Sequence, residues 1–171
     1  MDLILSAGDL APQYLEFLAT YSKVPILYVH GNHDGCYNDT PPLGCICIDD
    51  MIYEYEGLKI MGLGGSMCYN NSGYQYTERQ MRARYRKLRF SLWRKKGIDI
   101  LLTHSPAKDF NDGDDLPHKG FECFNDIIHT YEPKLFIHGH VHMSYGRQFK
   151  RESMLGNTRV INAYERYIVE I

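Results

Sequence analysis

Residues 138–142, His-Gly-His-Val-His, place three imidazoles within one short stretch, and imidazole is the commonest metal-ligating side chain. The apolar run Leu135-Phe136-Ile137 before them has the length and composition of a buried strand, so the histidines fall where a strand opens into a loop. In α/β proteins that strand edge is where chemistry is usually placed. Gly139 is expected to let the backbone turn without a Cβ clash. His140 and His142, flanking Val141, are expected to serve two neighbouring ions from one loop.

Three further strand ends carry polar residues. The run 3–7 (Leu-Ile-Leu-Ser-Ala) stops at Gly8-Asp9, the run 25–29 (Pro-Ile-Leu-Tyr-Val) ends in His30-Gly31-Asn32-His33-Asp34, and the run 98–103 ends at His104. Between the first two, residues 11–22 have helical spacing in Tyr14, Leu15, Leu18 and Ala19, with Pro12 suited to a first turn. Strand, turn, helix, strand is the pattern of a βαβ unit.

Elsewhere the periodicity predicts short alternating strands at 45–48, 51–55 and 58–63, with a hairpin turn at Glu56-Gly57. Residues 62–66 fail the spacing of phosphate- and dinucleotide-binding loops and read as a strand end whose glycines admit close backbone approach. A helix is expected over 78–96 with Met81, Tyr85, Leu88 and Leu92 inward, and another over 120–131 with Phe121, Phe124, Ile127 and Ile128 inward. Strands are expected at 144–149, 158–161 and 166–171.

Nine basic residues between Arg79 and Lys96 raise nucleic acid as a partner, but the simpler reading is a solvated helix face. The acidic run 109–115 lacks the ligand pattern of an EF-hand and is expected to be a surface loop near the site. His118 and His129 stand in no motif and are expected at the surface, while His30 and His138 read as strand-end residues.

The whole chain sets bounds on these readings. Its 171 residues suit one domain, 1–171, and 44% hydrophobic with 23% charged residues argues against disorder. A net charge of -2 gives no global attraction to polyanions. No apolar run reaches the length of a membrane span, so no membrane partner is expected. Five cysteines, odd in number and without Cys-x-x-Cys pairs, together with no basic leader, fit a cytoplasmic protein. Cys45 and Cys47 read as small hydrophobes in a strand.

Taken together and in order, Gly8-Asp9, Gly31-Asn32-His33-Asp34, His104 and Gly139-His140-Val141-His142 resemble the motifs of the calcineurin-like metallophosphoesterase family, which run D-x-H, G-D, G-N-H-[DE], H and G-H-x-H. The resemblance implies an α/β fold of two facing mixed β-sheets flanked by helices. It implies hydrolysis of a phosphomonoester or phosphodiester by a metal-activated water, with Mn²⁺ expected and Fe or Zn²⁺ as alternatives. By the family's pattern Asp9 bridges two metals, Asn32, His104 and His140 complete the second site, and His142 belongs to the first. His33 then donates toward the phosphate and leaving group, with Asp34 fixing its ring. The D-x-H pair and its strand are missing, since residues 1–7 supply neither ligand. The resemblance therefore implies one well-formed metal site, one half-built, and an N-terminally shortened domain, with a natural variant carrying an altered first site as the alternative. The other readings are a catalytically weakened metal- or phosphate-binding module and, on the basic helix, a nuclease. Substrate and oligomeric state are not legible.

Overall fold

Alternation along the strands decides the layering, because successive side chains of a strand point to opposite faces. The computed structural model describes residues 1–70, 72–146 and 149–171. The first βαβ unit is β1 (Ile4–Ser6), α1 (Pro12–Tyr21) and β2 (Ile26–Tyr28), followed by β3 (Ile46–Cys47). These three strands form a parallel sheet in the order β1-β2-β3. Among the described residues β1 is paired on one side alone.

The hairpin β4 (Met51–Tyr55) and β5 (Leu58–Leu63) comes next, with Glu56 and Gly57 both at positive φ in its two-residue turn. The short pair β6 (Ser66–Met67) and β7 (Gln75–Tyr76) leads to α2 (Glu78–Lys95), whose start is fixed by a capping box between Thr77 and Gln80. Then follow β8 (Ile100–Thr103), α3 (Glu122–Tyr131), β9 (Leu135–His138), β10 (Glu152–Leu155) and β11 (Thr158–Asn162). The six-stranded mixed sheet runs β10-β11-β9-β8-β5-β4, with the two outer hairpins antiparallel and the inner strands parallel.

The two sheets face each other. Leu27 and Val29 pack against Ile60, Ile100, Leu102, Leu135 and Ile137 in one core, while the alternate residues Met61, Leu101 and Phe136 turn outward and pack with Met81, Leu88, Leu92, Phe124 and Ile128 of α2 and α3. On the other side Leu15 of α1 covers Ile26 and Tyr28. The order is helix, sheet, sheet, helices.

Two expected strands are not found among the described residues. Met143–Tyr145 form a 3-10 turn, Arg147 and Gln148 lie outside the described residues, and the strand of this region is β10. Residues 166–171 form no strand because no described neighbour pairs with them; Arg159 donates to the Glu170 carbonyl at 3.3 Å, and Ile168 is 87% exposed. No helix among the described residues is long and apolar enough to cross a membrane. Cys36, Cys45, Cys47 and Cys123 are free thiols.

Candidate metal centre

Register brings the polar strand ends together. Ser6 of β1 pairs with Tyr28 of β2, so Asp9 and Asn32 leave the same edge of one sheet. Leu102 of β8 pairs with Ile137 of β9, which puts His104 and His140 at one edge of the other sheet. The Gly139 N–H donates to the His104 carbonyl at 2.9 Å and ties these two loops.

Local backbone aims the side chains. Asp9 and His140 both adopt left-handed φ values, 57° and 64°, a conformation that Asp, Asn and His tolerate better than most residues and that clusters at functional sites. The expected role of Gly139 is therefore corrected: His140 takes the unusual turn, and Gly139 is small because a Cβ there would meet the Ala7 Cβ at 3.2 Å. Gly31 is required more strongly, since a Cβ would lie 2.0 Å from Asp9 Oδ1. Asp34, buried at 2% exposure, uses one carboxylate oxygen to accept from the Asp9 N–H at 2.9 Å and the Gly31 N–H at 2.7 Å. It thus fastens the loop after β1 to the loop after β2. No hydrogen bond from Asp34 to the His33 ring is found among the described residues. His33 is exposed, and its backbone N–H donates to Asp9 Oδ1 at 2.9 Å.

Four donor atoms converge on one point. His104 Nε2 lies 2.9 Å from Asn32 Oδ1, 3.0 Å from His140 Nδ1 and 3.4 Å from Asp9 Oδ2. Ligands about 2.0–2.2 Å from a metal sit at separations on the order of 3 Å from one another. The hydrogen bonds on the far sides of these groups leave lone pairs facing inward. His104 Nδ1–H donates to the Ala7 carbonyl at 2.6 Å, and His140 Nε2–H donates to the Pro117 carbonyl at 2.6 Å. Asn32 gives its amide N–H to the Tyr69 hydroxyl at 3.1 Å. In neutral rings the inward nitrogens then carry electron pairs that face the oxygens of Asp9 and Asn32. A cation reconciles them, and hydrogen bonding of each far ring nitrogen is the usual support for a metal-bound histidine.

The titration behaviour has the same origin. Burial raises the Asp9 carboxyl, but hydrogen bonding and charge from His104 and the His33 N–H outweigh it and hold it down at about 2. Burial, then the charge of His104, pushes His140 down to about 3.

His142 is not part of this convergence. It is exposed at the surface, its ring 4.7 Å from that of Tyr164. His138 is fully buried, donating from Nδ1 to the Gly139 carbonyl at 3.0 Å and accepting on Nε2 from Asn111 at 3.2 Å; burial pushes it down to about 4. His118, expected at the surface, is half-buried beside His140 with ring centroids 5.3 Å apart and its Nδ1 on Asp115 at 2.8 Å. Sequence reasoning also missed Tyr69, Ala7 and Pro117. The latter two act through carbonyl oxygens, which every residue type carries.

A second group, His30, Cys47 and Asp49, brings three possible ligand atoms together. Its hydrogen bonds give it another meaning. Asp49 accepts from His30 Nδ1 at 2.6 Å, from the His30 N–H at 3.2 Å and from the Gly64 N–H, with Arg84 at 3.5 Å. A carboxylate so occupied, with a guanidinium beside it, is a poor cation ligand. Cys47 and Asp49 also approach the same ring nitrogen of His30, the thiol at 3.8 Å, so the three cannot relay a proton in the manner of a nucleophilic triad. Gly64 is glycine here because a Cβ would meet the His30 carbonyl at 2.4 Å.

Comparison with known proteins adds three findings. A family model described as calcineurin-like phosphoesterase matches residues 2–144. The crystal structure of TT1561 of Thermus thermophilus is similar in fold, with a TM-score of 0.64 at 16% identity over 95% of this chain and 76% of that one. No curated protein matches significantly.

Proposed function

Because the chain belongs to the calcineurin-like phosphoesterase family, we propose that it hydrolyses a phosphomonoester or phosphodiester with a divalent cation, Mn²⁺ in the first instance, held by Asp9, Asn32, His104 and His140. The observation that carries this reading is the inward lone pair on each of these four groups. A mixed nitrogen and oxygen donor set suits Mn²⁺, Fe and Zn²⁺. Bound there, the cation would neutralise the phosphate and lower the pKa of water.

The chain's own residues have separate tasks. Asp9 contributes the negative charge of the donor set, and His104, 1% exposed, is held in its tautomer by the Ala7 carbonyl. His33 stands at the solvent side of Asp9 and is proposed to donate a proton to the departing alcohol. Asp34 positions both loops through their N–H groups rather than acting on substrate. His142 remains a candidate for a second ion and would have to leave Tyr164 to serve it.

The nuclease reading finds less support. Arg82 and Arg84 are engaged by Glu78, Asp126, Asp49 and Asp50. Of the exposed basic residues of α2, Lys87, Arg89 and Arg94 lie in the half that leads toward the start of β8, the end opposite His104, and Arg79 and Arg86 lie in the other half. A metal-binding module without turnover is the other reading, favoured by the fact that the donors gathered around Asp9 suffice for one ion.

Adding Mn²⁺ to metal-stripped protein tests the proposal. At a hundred times Kd the expected stabilisation is about 2.7 kcal/mol, a rise in Tm of about 5–11 °C for a chain of this size. A chromogenic phosphomonoester or phosphodiester should then be hydrolysed, and a chelator should stop it. One bound ion with no turnover of either ester favours the binding module. No stabilisation by Mn²⁺, Fe²⁺ or Zn²⁺ overturns the metal centre itself.

A further inference from the structure

A cleft of about 440 Å³ opens against Asp9 and His33, between the first turn of α1 and the 3-10 turn Asp34–Asn38. Small-molecule sites span about 300–1,000 Å³, so this one lies near the lower end. We propose that this cleft receives the alcohol side of the ester and selects an uncharged, hydroxylated alcohol of about the size of glycerol or a pentose. The inference rests on the phosphoesterase reading above and names the substrate class for it.

Position is the first argument. Asp9 belongs both to the converging donors and to the cleft wall, so a phosphate brought to that point has its ester oxygen within reach of the cleft. His33 lines the same wall, where a departing alcohol needs a proton.

Charge is the second. Among the described residues no lysine or arginine lines the cleft, whereas the carboxylates of Asp9 and Asp34 do. A second phosphate or a carboxylate entering it would face these two carboxylates with His33 as its one cationic partner, whose proton is committed to the departing oxygen, so its desolvation is costly. The N-terminus of α1 does not supply that partner. Pro12 has no N–H, and the N–H groups of Tyr14 and Leu15 both turn back to the Ala11 carbonyl. That leaves the Gln13 N–H of this turn, enough for a hydroxyl and too little for the several N–H groups that cradle a phosphate. The side chains of Gln13 and Thr40 add neutral donors and acceptors, and Pro12 and Leu10 give an apolar surface for a carbon skeleton.

Cys36 makes the cleft testable. It lines the cleft and is exposed, whereas the other four cysteines are half-buried or buried. Its rate of alkylation by iodoacetamide, read by peptide mass spectrometry on the Mn²⁺-loaded protein, reports occupancy without any turnover. Three probes are compared: inorganic phosphate, 3,4-dihydroxybutyl phosphonate and 4-phosphonobutyrate. Broadening of the phosphate ³¹P resonance by bound Mn²⁺ shows separately whether phosphate reaches the ion. At ten times its Kd, the dihydroxybutyl phosphonate should slow Cys36 alkylation about tenfold, while phosphate and the phosphonobutyrate leave it nearly unchanged. Phosphate broadening without protection by the dihydroxybutyl compound overturns the subsite and leaves the metal reading standing. Equal protection by the phosphonobutyrate overturns the selection for an uncharged alcohol. Absence of broadening by any probe removes the phosphoesterase reading and this inference with it.

Discussion

Replacing Asp49 by alanine should be among the most destabilising changes available outside the metal centre. The carboxylate is 13% exposed and accepts from two backbone N–H groups, His30 and Gly64, as well as from the His30 ring. Removing it leaves both N–H groups without acceptors and the ring N–H with the Cys47 thiol at 3.8 Å alone, at about 1–3 kcal/mol for each buried donor so deprived. Water entering the vacated space recovers part of this. Arg84 is not stranded, since it keeps Asp50 at 2.8 Å and the Gly64 carbonyl at 2.6 Å. The net loss is therefore placed at about 3–5 kcal/mol, the range for breaking one side of a buried pair. For a chain of this size that is a fall in Tm of about 6–20 °C. Thermal unfolding followed by far-UV circular dichroism measures it, with Asp50→Ala as the comparison. Asp50 is 45% exposed and pairs with Arg84 from the surface, so its loss should cost no more than about 1 kcal/mol. A fall of less than about 3 °C for Asp49→Ala, or an equal fall for Asp50→Ala, would refute the view that Asp49 clamps the His30 and Gly64 loops.

Two further outcomes concern the metal centre and a third the Asp49 carboxylate. His140→Ala should reduce Mn²⁺ affinity by isothermal titration far more than His142→Ala, because His140 faces the other donors and His142 lies beside Tyr164; equal losses would mean that His142 ligates after all. Gly31→Ala drives a methyl group onto Asp9 Oδ1, so it should lower metal affinity by about 10–100-fold, the scale seen when groups supporting ligands are disturbed, with a smaller change in Tm. The stability gap between the natural protein and Asp49→Asn should depend on pH in a defined window. The Asp49 carboxyl is buried, which raises it, but His30 and Arg84 hold it below its ordinary 3.8, so its contribution is present above that value and is lost as pH falls through the folded pKa. Burial lowers His30, but Asp49, with Cys47 adding to it, outweighs burial and raises the ring from 6.5 to about 9, so that contribution is full below 6.5 and is lost as pH rises toward 9. The gap, measured by urea unfolding, should be widest between these limits; a gap that grew above pH 9 would contradict the assignment.

Sequence alone determined the elements with strong local signals. The period-two run of 51–55, the Glu56-Gly57 turn and the run of 58–63 are found as a hairpin with those bounds. Met81, Leu88 and Leu92 of α2 are buried at helical spacing as expected. Each of these depends on contacts between near neighbours or on a single apolar face. The polar strand ends likewise identified the family, because the chemistry rather than the packing demands those residue types, and a shared fold keeps them in that order along the chain.

Tertiary structure decided what depends on distant partners. Residues 166–171 have strand-like composition, yet no described edge is there to pair with them, and pairing rather than composition makes a strand. Arg84 sits in a helix face that reads as solvated, but the loops of Asp49, Asp50 and Gly64 close over it. His140 and His142 are equivalent in sequence, two residues apart in one motif. The left-handed backbone at His140, the Pro117 carbonyl behind its ring and the approach of His104 turn one of them toward Asp9 and leave the other at the surface. Those partners come from loops 23 and 36 residues away in sequence, and no local pattern encodes which of two histidines they will meet.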